Sequence, residues 1–388
     1  MQIFTHVQTV SDGTTLRLSI ADTWPDTAPS FISIHGSVDA GLSDLHQLVG
    51  AMDQTAVHGA TSCLGVMSDR GAECAGAFGA FAIYDDAGDY GTAAADISDD
   101  PVAASASAAQ AALANAGRSG EAPDLVWISS APGMEEAVLA GVQSVVGTQV
   151  PIVGGSAADN AIQGDWQVFD RTHRFSTGVV VSVLFPSTEV SISFQNGHAP
   201  EGSVGRLTKA EGRRIYEIDG RPAASFCAEW GGSAAVNTDA PVQILSQSTF
   251  APLGRQVGDV ASVPFYLLLH PATAHPDGSI DVFADVVEGE ELHLMTGSQD
   301  SLISRAGRVA QQAKDGLQGA EPAGALVVYC GGCMLAVQDR MNEAAEGINQ
   351  ALGNVPFLGT FTFGEQGQVL NSENCHGNLM ISCITFAS

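Results

Sequence analysis

The sequence predicts an α/β fold of two lobes, built from three β-α-β units with parallel strands plus inserted antiparallel strands, giving mixed sheets. Two observations carry this. First, three stretches repeat one order: an apolar strand, a short small-residue turn, an amphipathic helix, and a second apolar strand closing in a polar turn. Second, from about residue 166 the pattern changes to period-two alternation broken by turn residues, the mark of antiparallel strands. Parallel units bind ligands at the carboxyl ends of their strands. The polar turns of all three units are therefore expected to meet at one place.

In the first unit, residues 31–34 form the opening strand and Leu42, Leu45, Leu48, Val49 and Met52 line a helix. Its closing strand is expected at residues 63–67. A strand at 81–84 and an alanine-rich helix follow, with Asp100 as N-cap, Pro101 at the first helical position and Gly117 past the end. The second unit runs from a strand at 124–129, through a helix carrying Val138, Leu139, Val142 and Val145, to a strand at 151–153. Residues 177–185 and 190–195 read as one antiparallel pair around the turn Pro186-Ser187-Thr188. Further strands are expected at 215–218, 280–286 and 291–295, with helices at 223–230 and 302–317, the latter begun by Ser298 or Asp300. The third unit holds a strand at 325–329, one helix carrying Met334, Val337, Met341, Ile348 and Leu352, and a strand at 356–358. A strand at 378–386 ends the chain.

Composition excludes several functions. Asp and Glu number 43 against 15 Lys and Arg, a net charge of −28 over 388 residues, which repels phosphate backbones and anionic lipid. Nucleic acid and membrane are thus not expected partners. No apolar run reaches the ~18–20 residues of a membrane helix, and no secretory signal is visible, so a cytoplasmic location is expected. Seven cysteines, an odd number, read as reduced thiols.

Five segments in order carry a resemblance: Pro151-Ile-Val-Gly-Gly-Ser-Ala-Ala-Asp159; residues 197–223 with Tyr216-Glu-Ile-Asp-Gly-Arg-Pro-Ala223; Asp285-Val-Val-Glu288 through Leu292-His-Leu294; Cys330-Gly-Gly332; and Phe357-Leu-Gly-Thr-Phe-Thr-Phe-Gly-Glu365. Together they resemble the FIST family (F-box and intracellular signal transduction proteins). The likeness implies a FIST N-terminal domain at 31–230 and a FIST C-terminal domain at 231–386. It also implies a sensory signal-transduction module that binds a small ligand such as an amino acid or related metabolite. The output partner would be a separate histidine kinase or cyclic-dinucleotide enzyme, since no signalling domain is fused. A subset of the family binds haem and senses nitric oxide. The sequence departs from the family at Cys333, where an arginine is usual, which removes a bidentate carboxylate clamp.

The expected ligand site is therefore Gly155, Ser156, Asp159, Cys330, Gly332, Thr362, Gly364 and Glu365. The glycines let backbone N–H groups approach an anion, and Asp159 could accept an ammonium. If haem binds, His35 at the end of the first strand is the best-placed proximal ligand. The alternative from another class is a thiol-dependent enzyme using Cys330 and Cys333, their thiolate favoured by a helix N-terminus. Phosphate-loop, dinucleotide, zinc-protease and nucleophile-elbow motifs are missing from the sequence, so no enzyme activity, metal or catalytic residue is expected.

Overall fold

The computed structural model describes residues 1–9, 24, 25, 27–41, 46, 49, 50, 52–74, 76–229, 239–260, 262–369 and 373–388. Three of its four sheets follow one plan: an edge strand, an antiparallel neighbour, two parallel strands, and a hairpin supplied by another unit. In the first, Gln2–Thr9 and Ala77–Tyr84 flank the parallel pair Phe31–Gly36 and Ala56–Thr61. In the second, Asp89–Asp96 and Gly178–Phe185 flank Leu125–Ser130 and Ile152–Ser156. In the third, Val190–Asn196 and Met380–Ala387 flank Pro322–Cys330 and Phe357–Thr362.

The hairpins are exchanged in a cycle. Val66–Ser68 with Gly71–Glu73 leaves the first unit for the third sheet. Val168–Phe169 with Arg174–Phe175 leaves the second unit for the first sheet. Glu365–Val369 with Glu373–Gly377 leaves the third unit for the second sheet. Inner faces of all three sheets share one core, where Phe31, Phe81, Trp127, Val153, Val328, Leu358 and Phe386 are fully buried. Helices cover the outer faces. Gln299–Asp315 buries Leu302, Ala306, Val309 and Ala313, one face at helical spacing, against the third sheet. Pro101–Asn115, capped by Asp100 through the Ala103 N–H, and Glu135–Val146 cover the second.

A fourth, nine-stranded antiparallel sheet is inserted between Val190–Asn196 and the helix Gln299–Asp315. It has its own core, including Leu207, Ile218, Phe226, Leu253, Leu269 and Leu292.

The mixed α/β class is as expected, but two elements are placed differently. The closing strand of the first unit is Ala56–Thr61, not 63–67; residues 66–68 belong to the exchanged hairpin. The true strand is short of large apolar residues because His58 and Gly59 meet other buried groups: the His58 ring bonds Ser182 and Ser129, and a Cβ at Gly59 would strike the Phe169 ring. The strands Gly178–Phe185 and Val190–Asn196 do not pair with each other. The chain crosses from the second sheet to the third between them, and the latter pairs with Met380–Ala387. The single helix expected in the third unit is broken into Gly331–Ala336, a 3-10 turn Gln338–Arg340, and Met341–Leu352. Most of the helix expected near Leu42 and Leu48, and the break expected near Trp230, lie outside the described residues.

Candidate functional site

The carboxyl ends of the parallel pairs fall at matching positions: Gly36 beside Thr61, Ser130 beside Ser156, and Cys330 beside Thr362. Backbone hydrogen bonds join these ends in a closed triangle. Ala158 N–H donates to Thr61, Cys63 N–H to Phe361, and Phe363 N–H to Ser156. Above the second and third ends, and below the inserted sheet, lies a cavity of about 380 Å³. That is the lower part of the range used by small-molecule sites.

Its walls are apolar. Ile162 and Trp166 come from the loop after the second unit, Phe363 and Leu335 from the third, and Leu245, Phe250 and Phe283 from the inserted sheet and its short helix. Its polar floor is Cys330, Thr362, His270 and Asn378, and at one end stand Glu135 and Arg213. Asn378 accepts the His270 N–H at 3.0 Å, tying the inserted sheet to the third unit.

Cys330 ends its strand immediately before a short helical turn. Burial opposes ionisation of its thiol most strongly. The Cys333 S–H and the backbone N–H groups of Cys333, Gly332 and Leu379 outweigh it and hold the thiol at about 7. Glu365 contacts Cys330 and is itself fully buried. Burial and the neighbouring thiolate push its carboxyl well above the usual range, against the Met380 N–H (2.9 Å) and the Thr362 hydroxyl (2.8 Å). The pair thus consists of a readily ionised thiol beside a protonated carboxyl group.

At the other end, Arg213 stands at the tip of the hairpin Ala199–Glu211/Arg214–Ile218. It donates to Glu135 at 2.7 Å, Glu136 at 2.5 Å and Asp285 at 2.8 Å. Glu135 also accepts from the Ser156 hydroxyl (2.7 Å) and Gly133 N–H (3.0 Å). Burial opposes ionisation of Glu135, but the charge of the His376 ring, the Arg213 guanidinium and these donors keep its carboxyl below the ordinary range. His376 pairs with Glu136 at 2.9 Å. Glu135, Glu136 and His376 have the spacing of a metal group, yet the Arg213 guanidinium already pairs with both carboxylates.

Three of the expected residues, Cys330, Gly332 and Thr362, line the cavity. The others do not. Gly155, Ser156, Gly364 and Glu365 lie behind the floor: a Cβ at Gly155 would stand 2.4 Å from Thr362 Cγ2, and Gly364 leaves room for the His376 ring. Asp159 is not free to meet an ammonium. Its carboxylate accepts five N–H groups of its own loop, from Ala161, Ile162, Gln163, Gly164 and Asp165, so its role is to hold Ile162 and Trp166 in the wall. His35 is remote from the cavity. It is buried against Trp127 and His58, bonded to Ser33 at 2.9 Å, and burial pushes its pKa down to about 3. Cys333 is wholly buried behind Cys330 and leaves no clamp at the wall. Among the described residues Cys330, Cys333, Cys375 and His376 form no ligand group.

Phe250, His270 and Phe283 carry no sequence signal, because the inserted sheet was not expected to close over strand ends, and Trp166 carries none because its loop is positioned by Asp159. Arg213 had one signal, a cation after a turn glycine in a chain poor in cations.

The class is set by this architecture: three mixed sheets joined by exchanged hairpins, with an inserted antiparallel sheet closing a cavity over their strand ends. The chain belongs to the FIST family. The FIST N domain matches residues 30–221 and the FIST C domain residues 223–368. FIST domains are sensory domains of signal transduction. An uncharacterized protein of Methanocaldococcus jannaschii is 29% identical over 139 residues, covering 34% of this chain and 23% of that protein. Uncharacterized proteins of Mycobacterium bovis and Mycobacterium tuberculosis are each 26% identical over 232 residues, covering 58% of both chains. The chain thus spans about a quarter of the archaeal relative and just over half of the mycobacterial ones. A cyanuric acid hydrolase from A. caulinodans aligns over 100% of this chain and 99% of its own at a TM-score of 0.38 and 10% identity, a likeness too remote to carry any inference.

Proposed function

We propose that the chain is a sensory module that binds a small, largely apolar ligand in this cavity and carries out no turnover of its own. The observation that supports it is the composition of the walls: FIST N contributes Ile162, Trp166 and Arg213, and FIST C contributes Leu245, Phe250, Phe283 and Cys330. A ligand there touches the three-unit core and the inserted sheet together, so its binding energy favours one placement of the sheet over another. A separate partner, such as a histidine kinase or cyclic-dinucleotide enzyme, would read that placement.

Arg213 and Glu135 satisfy each other, which leaves little charge for a free zwitterion. Among amino acids and their metabolites the walls therefore suit apolar, especially aromatic, bodies with a single polar end. The haem reading has no support from His35, which lies away from the cavity.

A thermal-shift series with L-phenylalanine, phenylpyruvate and indole tests this. Ligand at a hundred times its Kd adds ~2.7 kcal/mol, a rise of several degrees. Gly332→Leu should abolish the rise, because Gly332 lines the cavity and a Cβ there already stands tight against His270 at 3.3 Å, so a longer side chain fills the space between His270 and Cys330. If no compound shifts the wild-type protein, and native mass spectrometry finds no small adduct, the reading is wrong.

A further inference from the structure

Cys330 does more than line the floor. Its sulfur faces an apolar, aromatic-walled cavity, and three backbone N–H groups and the Cys333 S–H converge on it. The charged and titratable groups packed around it are Tyr329, Cys333, Cys63 and Glu365, with His270 across the cavity. None is a cation that would hold a free carboxylate ligand. Glu365 is a buried carboxylic acid in contact with Cys330. A nucleophile and an apolar chamber are thus assembled at one point, and the histidine of the same floor, His270, has its Nε2 engaged by the Leu245 carbonyl at 3.1 Å.

The geometry points to covalent capture: Cys330 takes up a small apolar α,β-unsaturated carbonyl compound as a stoichiometric adduct. The Sγ lone pair forms a bond to the β-carbon and the C=C π pair moves to the carbonyl as an enolate. The α-carbon takes up a proton from solvent in place of the one the thiol released, while Glu365 stays protonated behind the sulfur. The net change is addition of S–H across C=C, with no oxidant, reductant or leaving group. Trp166, Phe250, Phe283 and Phe363 give the flat conjugated body its walls. The proposal rests on the cavity being the ligand site and names the chemistry of what enters it.

Ionisation sets the expected selectivity. At pH 7 about half of Cys330 is thiolate, against ~3% of an ordinary cysteine near 8.5. Lower intrinsic nucleophilicity returns about fivefold of that gain. The half-exposed Cys74 and Cys375 are pushed up to about 11 and about 12. Their thiolate shares are smaller by ~5,000-fold and ~50,000-fold, so after the same correction Cys330 should lead them by roughly one- to three-hundredfold.

The test exposes the full chain to benzylideneacetone at pH 6 to 9 and follows intact mass and peptide maps, with benzylacetone, the saturated ketone of the same shape, in a parallel thermal-shift assay. The expected result is one adduct per chain, on Cys330, with a rate that rises to a plateau above pH 7. The rate should exceed that of iodoacetamide by more than the same ratio measured on glutathione, and Gly332→Leu should slow it at least tenfold. Cys330→Ser should remove the adduct; should that variant not fold, the peptide map of the wild-type protein decides alone. Labelling at Cys74 or Cys375, or equal preference for both reagents, overturns the proposal. Stabilisation by benzylacetone without an adduct on Cys330 overturns covalent capture and leaves the binding cavity intact. Neither stabilisation nor adduct overturns both.

Discussion

Arg213→Met separates the inserted sheet from the core electrically while keeping the side chain's apolar stem. Three ion pairs are lost, and they are unequal. Asp285 is 58% exposed and Glu136 is 33% exposed, so each contributes ~0.5 kcal/mol. The Glu135 side chain is 2% exposed, and removing one partner of such a buried pair costs ~3–5 kcal/mol because the remaining charge is uncompensated. The lower end applies here, since the Ser156 hydroxyl and Gly133 N–H still serve Glu135. The total is ~4 kcal/mol at pH 7.5, read from urea unfolding. Two controls follow from the same reasoning. Arg213→Met with Glu135→Gln should be ~2 kcal/mol more stable than Arg213→Met alone, because the orphaned charge is gone. Arg213 is one of the groups that hold the Glu135 carboxyl below its ordinary range. Stability from a lowered carboxyl is present above the unfolded pKa and lost as pH falls through the folded one, so the cost of Arg213→Met should shrink as pH falls below ~4.3. A cost under ~1 kcal/mol, unchanged with pH and not relieved by Glu135→Gln, would refute the claim that this clamp is buried and charged.

Three further changes have defined outcomes. Asp159→Ala removes the acceptor for five N–H groups and should cost ~2–3 kcal/mol, with new proteolysis between residues 160 and 165; its carboxyl is held low, so the effect should fade as pH falls through the folded pKa. Gly155→Ala places a Cβ 2.4 Å from Thr362 Cγ2 in a buried strand; a loss of ~1–3 kcal/mol and a weaker ligand-induced thermal shift are expected. His35→Phe removes one of the two partners of the Ser33 hydroxyl, leaving the Trp127 N–H, and should cost ~1 kcal/mol at pH 7.5. Because burial holds His35 at about 3, the unfolded chain takes up that proton first as pH falls below ~6.5, and the variant's stability should decline less steeply by ~1.4 kcal/mol per pH unit between pH 6 and 4.

The parts of the fold legible in the sequence were those with strong local signals. Asp100-Pro101 starts its helix, Ser298 caps the helix at Gln299–Asp315, and the apolar runs near Leu125 and Leu326 are core strands buried on both faces. What was not legible depended on distant partners. Ala56–Thr61 is a central strand whose polar residues are buried because Ser129 and Ser182 come from the second sheet to meet His58. No local pattern distinguishes it from a turn. Likewise Val190–Asn196 alternates as a hairpin partner would, and only its pairing with the chain terminus shows that it begins another sheet. Cys330 and Thr362 come to the cavity because strand ends are local features. Asp159 reads in two ways because one side chain can either bind a ligand or cap its own loop, and the five N–H donors around its carboxylate are invisible in the sequence.

Among the described residues, the first strand ends are covered differently from the second and third. Over the first, Asn160 from the second unit's loop folds across: its amide oxygen accepts the Leu64 N–H at 2.8 Å, and its nitrogen donates to Ser37 and Asp39. The loop that seals the first unit is the one Asp159 holds rigid, and its other side presents Ile162 and Trp166 to the cavity. At the second and third ends the corresponding cover is the inserted sheet. It enters the chain after Val190–Asn196 and is fastened by Arg213 at one side and by the His270–Asn378 bond at the other. A tight seal and a held-open chamber therefore arise from the same backbone plan, differing in what lies on top. A sensor needs a cover that can change position when the chamber fills. The inserted sheet has a hydrophobic core of its own, packs Tyr266, Leu267, Leu268 and Met295 into the third unit's core, and is tied at this cavity by Arg213 and the His270–Asn378 bond. It is the element whose position a ligand touching both Trp166 and Phe283 would report.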